Sequence, residues 1–281
     1  MSEKLLYLEC YSGISGDMTV AALLDLGADE AVLKRGLDSM ELPGYEYKIS
    51  RTEKCGISAC DFDVILEHDD HHDHDHHHDH DHHHDHDHNH DHDHHHNHDH
   101  HHDHDHHHPH EHRNLADCLA FINKMDATDN AKQIATKIFT IVAEAEAKAH
   151  GKPIEEVHFH EVGAVDSIVD IAASAICFDN LGVTGVCLSH IYEGEGHVWC
   201  QHGILPVPVP AVLNIAEANG LTLKITDNKG EMVTPTGAAI AAALKTRDTL
   251  PSGFKILKTG IGAGKKDFPK ANILRAMVIE A

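Results

Sequence analysis

Hydrophobic positions along the chain switch between a period near two and a period near 3.6, and the switches mark out the elements. Lys4-Leu-Leu-Tyr-Leu-Glu9 is a strand-like run that passes through Cys10-Tyr-Ser-Gly-Ile-Ser-Gly-Asp-Met18 into an apolar helical stretch, Val20 to Leu26, closed by Gly27. Tyr45 to Ser50 and Ile57 to Leu66 read as strands. Asn114 to Met125 and Ala131 to His150 have helical period, the second aligning Ile134, Ile138, Ile141, Val142 and Ala145 on one face before Gly151 and Pro153 stop it. Val157 to His160 is a short strand, Asp166 to Asn180 a helix, and Gly185 to Tyr192 and His197 to Cys200 are strands. Pro206, Pro208 and Pro210 stiffen the entry to a helix from Ala211 to Ala218, which Asn219-Gly220 ends. Leu221 to Ile225 is a strand, Thr234-Pro235 starts a helix that runs to Leu244, and Phe254 to Gly262 closes the pattern as a strand. The fold class expected is α/β, with mixed α+β as its variant: a sheet covered by helices, whose strand order periodicity does not encode.

Between the second and third of these strand and helix groups the pattern stops. The 45 residues from His68 to His112 contain only His, Asp, Asn, one Pro and one Glu. With no apolar side chain to bury, the block has nothing to offset the entropy of ordering, so it is expected to be a disordered loop insertion. The chain is therefore divided into a composite α/β domain, 1–67 with 113–281, and the insertion 68–112. The block holds 28 of the 34 histidines and 14 of the 46 acidic residues, so the formal charge of −24 splits into −14 for the block and −10 for the remainder. An acidic chain gives no electrostatic footprint for nucleic acid or an anionic membrane. No apolar run approaches the roughly 18 residues of a membrane span, and the start reads as a strand rather than a signal peptide, so the expectation is a cytoplasmic protein. Seven cysteines without a CxxC pair are expected to be reduced and mostly buried, with Cys10 beside the glycine loop the first to consider near a metal.

Imidazoles and carboxylates in such density bind nickel, copper or zinc with little selectivity, which suits a metal store or antenna. A sharper constellation is Val157-His-Phe-His-Glu-Val-Gly-Ala-Val-Asp-Ser-Ile-Val-Asp170. His158 and His160 share one face of a strand, and Glu161 follows. A helix would then stack Asp166 and Asp170 at i and i+4, unfavourable unless a cation or basic side chain lies between them. The alternative is a core histidine at His158 and a helix cap at Asp166. Ser12-Gly-Ile-Ser-Gly-Asp17 offers amides to an anion, through Ser12, Gly13, Ser15 and Gly16, with Asp17 either holding a divalent ion or capping the helix. Glu193, Glu195 and His197 alternate along one face, as a site or as the outward face of a hairpin, and His202-Gly203 adds an imidazole at a turn. Thr234 and Thr236 begin a second polar helix terminus, and Gly260-Ile-Gly-Ala-Gly-Lys-Lys266 reads as a glycine turn; either is a candidate for phosphate.

Five segments occur together and in order: Leu8 to Met18, Ala145-Glu-Ala-Lys-Ala-His-Gly151, Val157 to Ala164 with Asp166, His202-Gly-Ile-Leu-Pro-Val-Pro208 and Thr234-Pro-Thr-Gly-Ala238. In these the chain resembles the LarC family of nickel-insertion proteins, from about Leu5 to Arg275. The resemblance implies insertion of nickel into pyridinium-3,5-bisthiocarboxylic acid mononucleotide, a lyase-class chelatase reaction that consumes CTP with magnesium or manganese. It implies His158, His160 and Glu161 as the catalytic group. His158, His160, Asp17, Asp166, Asp170 and His202 would hold metal, and Ser12, Gly13, Ser15, Gly16, Thr234 and Thr236 the substrate phosphate. Family members continue into a C-terminal part associated with CTP, which would be a partner here, with the lactate racemase-type apoenzyme and an oligomeric assembly as further expectations. The competing readings are a nickel store or metallochaperone without chemistry, and a nucleotide-binding phosphotransferase built on the glycine loops.

Overall fold

Six strands form the main sheet of the computed structural model, which describes residues 3–67, 113–157, 159, 164–200 and 202–280. In chain order the elements begin β1 (Lys4–Glu9), α1 (Gly16–Asp25), α2 (Glu30–Ser39), β2 (Tyr45–Lys54) and β3 (Ile57–Leu66). There follow α3 (Leu115–Lys124), α4 (Asp129–His150), a 3-10 turn at Ile154–Glu156, α5 (Val165–Leu181), β4 (Gly185–Leu188), β5 (Ile191–Glu195) and β6 (His197–Cys200). The chain then runs through β7 (Gly203–Pro206), α6 (Pro210–Asn219), β8 (Leu223–Lys229), α7 (Pro235–Leu244), β9 (Lys255–Ala263) and β10 (Ile273–Glu280). The sheet order is β2-β3-β9-β10-β1-β4, with β1 antiparallel to β10 and parallel to β4, and β3 joined to β9 in parallel through Cys60 and Gly262. Two smaller sheets, β5-β8 parallel and β6-β7 antiparallel, complete the architecture among the described residues. The class is α/β, as expected.

The period of two in β1 divides the interior. Leu6 and Leu8 face the large core that the helices close, whereas Leu5 and Tyr7 face a small cluster with Cys187, Met277 and Ile279, backed by Leu250 and Phe254. The helices therefore cover one face of the sheet. Full burial of a Leu or Ile side chain contributes about 1.5–3 kcal/mol, so α1, with Val20, Leu23 and Leu24 buried, is fixed mainly by this face. It lies flush on β9 because that strand presents glycines. A Cβ at Gly260 would stand 2.3 Å from the Ala22 carbonyl oxygen, and one at Gly262 only 2.1 Å from that of Met18. The Gly260-Ile-Gly segment is thus strand and helix seat, not the phosphate turn that its glycines suggested.

Several boundaries differ from the sequence reading for local reasons. Helix α1 begins at Gly16, a turn before the apolar run. Helix α2 escapes pattern recognition because only Leu33, Gly36 and Leu37 are buried along it. Gly185 to Tyr192 is broken after Leu188, and its two halves join different sheets. Strands β7 and β10 were not foreseen. Of Val157 to His160, Phe159 makes an isolated antiparallel bridge to Arg113; His158 and His160 lie outside the described residues, as does the whole block 68–112. Of the α4 face, Ile138, Ile141, Val142 and Ala145 are buried and Ile134 is half-buried. No described helix is long and apolar enough to cross a membrane.

Candidate functional site

The N-termini of α1, α5 and α7 meet around a cleft of about 480 Å³. Asp17 enters it from α1, Asp166 and Asp170 from α5, Thr234 and Thr236 from α7, and Lys265 and Lys266 from the segment after β9. Gly16 is what lets α1 and α5 approach, since a Cβ there would lie 2.4 Å from Asp170 Oδ2. Asp17 Oδ1 accepts from the Met18 amide at 2.8 Å and from the Ser15 hydroxyl. Burial pushes the Asp17 carboxyl up against those hydrogen bonds. Burial, then the neighbouring charges of Asp17 and Asp166, push the Asp170 carboxyl well above the usual carboxylate range. Its Oδ1 is buried without a hydrogen-bond partner, an orphan that calls for a cation, a proton or water.

The expected like-charge stack of Asp166 and Asp170 is present on α5, and Lys265 is the basic side chain that eases it. Lys265 is itself held by Asp61 at 2.7 Å and Asp63 at 3.0 Å, and Lys266 by Glu231 at 3.2 Å. Among the described residues no three His, Cys, Asp or Glu side chains surround a common point as a finished metal cage. His158, His160 and Glu161, the proposed catalytic group, lie outside the described residues, in the segment that leads into α5.

Part of the glycine loop and of the helix start behind it is engaged within the chain. The Gly13 amide donates to the Cys10 carbonyl at 3.2 Å, Ile14 to Met232 at 3.1 Å and Met18 to Asp17, while the Asp17 amide donates to the Asp170 carboxylate. Ser12 Oγ donates to the Ala271 carbonyl at 2.8 Å. Gly13, at φ 83°, is required because any Cβ would meet the Met232 carbonyl oxygen at 2.0 Å. At Gly13 and Gly16 what comes close is the chain itself: the Met232 backbone and the Asp170 side chain. Asp17 does not cap α1; the N-cap position is Ser15. Thr234 does cap α7, accepting from the Gly237 amide at 3.1 Å.

Glu193 is the residue whose surroundings the sequence concealed. It is 0% exposed, and its Oε1 accepts from the amides of Gly194 at 2.8 Å, Met232 at 2.7 Å and Val233 at 3.2 Å, while Oε2 has no partner. Burial raises its carboxyl to about 7, although the three amides pull the other way. The outward-facing hairpin reading therefore fails for Glu193: a buried carboxylate ties β5 to the loop that carries Glu231 and Met232 into the cleft. Glu195 is the solvent-side partner of Lys229, and His197 lies beyond Gly196 on β6, so the three do not share one face. Cys10 is wholly buried with its thiol pushed up to about 12, which makes it a core side chain rather than a ligand.

His202 lies in a second cleft, of about 370 Å³, which shares Glu231, Pro235 and Lys266 with the first. There its ring stands 5.0 Å from that of His150, at the end of α4. The sequence places His150 at a helix end and in the Ala145 to Gly151 motif; its pairing with a histidine 52 positions on is a tertiary fact.

Comparison with known proteins agrees with the motifs. A protein of Alkaliphilus metalliredigens named pyridinium-3,5-bisthiocarboxylic acid mononucleotide nickel insertion protein is 59% identical over 100% of this chain and 61% of its own length. Proteins of the same name from Clostridium acetobutylicum and Acetivibrio thermocellus are 46% and 38% identical over 99% and 98% of this chain, and 64% and 60% of their own. The chain thus spans about three fifths of the length of these curated relatives. No solved structure matches it. The nickel insertion protein family matches residues 6–281, the span that contains both clefts and all five ordered motifs, and the chain belongs to that family.

Proposed function

We propose that this chain is the nickel-handling portion of a chelatase that inserts nickel into pyridinium-3,5-bisthiocarboxylic acid mononucleotide, giving the nickel-pincer cofactor of lactate racemase-type enzymes. The observation that carries the reading is the cleft at the start of α5. There Asp17, Asp166 and the orphaned Asp170 line a cavity directly after His158-Phe-His-Glu161 in a chain of this family. Insertion forms one nickel–carbon and two nickel–sulfur bonds, and the ring carbon loses its proton as its bond to nickel forms. His158, His160 and Glu161 supply nickel ligands and the proton acceptor, while Asp17, Asp166 and Asp170 orient the histidines or hold the ion. The substrate phosphate goes to the α7 terminus at Thr234 and Thr236, because in the Ser12 to Gly16 loop the Gly13 and Ile14 amides are engaged internally.

CTP, with magnesium or manganese, belongs to the part of the relatives that this chain does not span. Lys265 and Lys266 are ion-paired to Asp61, Asp63 and Glu231 and do not form a triphosphate cradle. Residues 1–67 and 113–281 act as one composite domain, and the insertion 68–112 raises the nickel concentration beside it. The protein is cytoplasmic, works as an oligomer and passes its product to the apoenzyme.

Replacing His158 and His160 by alanine is expected to lower nickel insertion at least about 100-fold when the chain is paired with the remaining C-terminal part. An unchanged rate rejects the assignment. Deleting residues 71–108 separates this reading from simple storage. The insertion rate should be unchanged at saturating nickel and fall only when nickel is scarce, whereas a store loses function at every nickel concentration.

A further inference from the structure

The second cleft holds donor atoms that the aspartate cleft does not use. Cys200 ends β6, His202 lies in the turn to β7, and His150 closes α4, so two segments distant in sequence converge on it. The two imidazole rings are 5.0 Å apart at 41°, and Cys200 Sγ is 4.0 Å from His202 Nδ1. For comparison, two imidazoles on one tetrahedral ion, each with a metal–nitrogen bond of about 2.1 Å, have ring centres about 5 Å apart. A thiolate sulfur and an imidazole nitrogen on the same ion are separated by about 3.6 Å. The donors thus stand near ligation spacing without yet surrounding one point. Cys200 Sγ now sits 3.4 Å from the Gly203 carbonyl oxygen, a weak thiol contact that ligation would replace.

Two further features point to a metal rather than to a chance cluster. Glu146 Oε2 lies 3.5 Å from His150 Nε2, the carboxylate-behind-imidazole arrangement that orients a metal-binding histidine. The chemistry of the set is also distinct: two imidazoles and a thiolate are borderline-soft and suit Ni²⁺ or Zn²⁺, whereas the first cleft offers hard carboxylates. We propose that His150, Cys200 and His202 form a divalent transition-metal site, at which Ni²⁺ is held before it moves into the adjoining aspartate cleft. The metal site stands on these donors alone; its place in the transfer of nickel rests on the chelatase reading. Passage is short, because Glu231, Pro235 and Lys266 line both clefts.

The histidine-rich block contains no cysteine, so a thiolate signature distinguishes this site from it in the intact chain. Co²⁺ is titrated into the full chain past saturation of the block, followed by absorption in the near ultraviolet. A thiolate-to-cobalt charge-transfer band is expected in the parent chain and in Cys55→Ser, and is expected to vanish in Cys200→Ser. Both replaced cysteines are solvent-accessible, Cys55 exposed and Cys200 partly so, and their serine variants should fold. His150→Gln, His202→Gln and Glu146→Gln should each raise the Co²⁺ concentration at half-band by about tenfold or more. No band at saturating metal, or a band that persists in Cys200→Ser, overturns the proposal. A band in a chain that inserts no nickel with its C-terminal part keeps the site and rejects the chelatase reading. Insertion without a band does the reverse.

Discussion

Glu193→Ala is expected to lower the unfolding free energy by about 3 kcal/mol at pH 6, and Glu193→Gln by far less. Alanine leaves the amides of Gly194, Met232 and Val233 without their acceptor in a fully buried position. Each unsatisfied donor costs about 1–3 kcal/mol, and only part of the sum is recovered by no longer burying a carboxyl group. Glutamine keeps an oxygen in place for the same three amides. The loss should reach the cleft, because the loop held by Glu193 is zipped to the glycine loop: Ile14 donates to Met232, and Thr234 donates to Ile14 at 3.2 Å. Denaturant unfolding of the two variants measures the difference.

The pH dependence of that difference has a definite sign. The folded carboxyl titrates near 7 and the unfolded one near 4.5, so between these values the folded state carries the extra proton. Stability therefore falls as pH rises from about 4.5 to about 7, by up to about 3 kcal/mol, and then levels. Asp17 and Asp170 are shifted in the same direction and add to the slope in the parent chain. Subtracting the Glu193→Gln profile isolates this residue: the variant should gain on the parent as pH passes from 5 to 8. A pH-independent difference would mean that Glu193 is ionised throughout, its three amides outweighing burial.

What the sequence made legible follows from the range of the interactions that decide each feature. Helices α3, α4, α5, α6 and α7 and strands β2, β3 and β6 are set by local periodicity, caps and stops, and each was expected within a few residues. Thr234 as an N-cap and Gly220 as a left-handed C-cap are local chemistry of the same kind. Glycines are ambiguous because one residue type serves three ends. Gly13, Gly16 and Gly262 read in sequence as parts of anion-binding loops, and in the structure each makes room for the chain itself. The acidic residues divide similarly. Asp166 and Asp170 were placed together by helical spacing, a local rule, whereas the burial of Glu193 depends on amides 39 and 40 positions away. His150 stands in a family motif, but its sequence gives no metal-binding signal because that meaning depends on His202.

Gly262→Ala is expected to destabilise the protein by about 3 kcal/mol and, on the proposed chelatase reading, to lower nickel insertion with the C-terminal part by more than the loss of folded protein explains. Overpacking costs about 1–3 kcal/mol where side chains can yield, and here they cannot. The new Cβ would lie 2.1 Å from the Met18 carbonyl oxygen and 2.6 Å from the Ala22 amide, both backbone atoms of α1. The helix must lift from the sheet, and Asp17, one residue before Met18, moves with it. Displacing a positioned group by about 1 Å can cost about 100-fold in rate, so activity per folded molecule should drop as well. Gly253→Ala is the control: nothing lies within 4 Å of its Cβ position, and its stability should be equal or slightly higher. Thermal unfolding of the two variants, with insertion measured on the folded fraction, tests the claim. Equal stability of both would show that α1 does not owe its seat on β9 to the missing side chain, and the account of how Asp17 reaches the cleft would have to change.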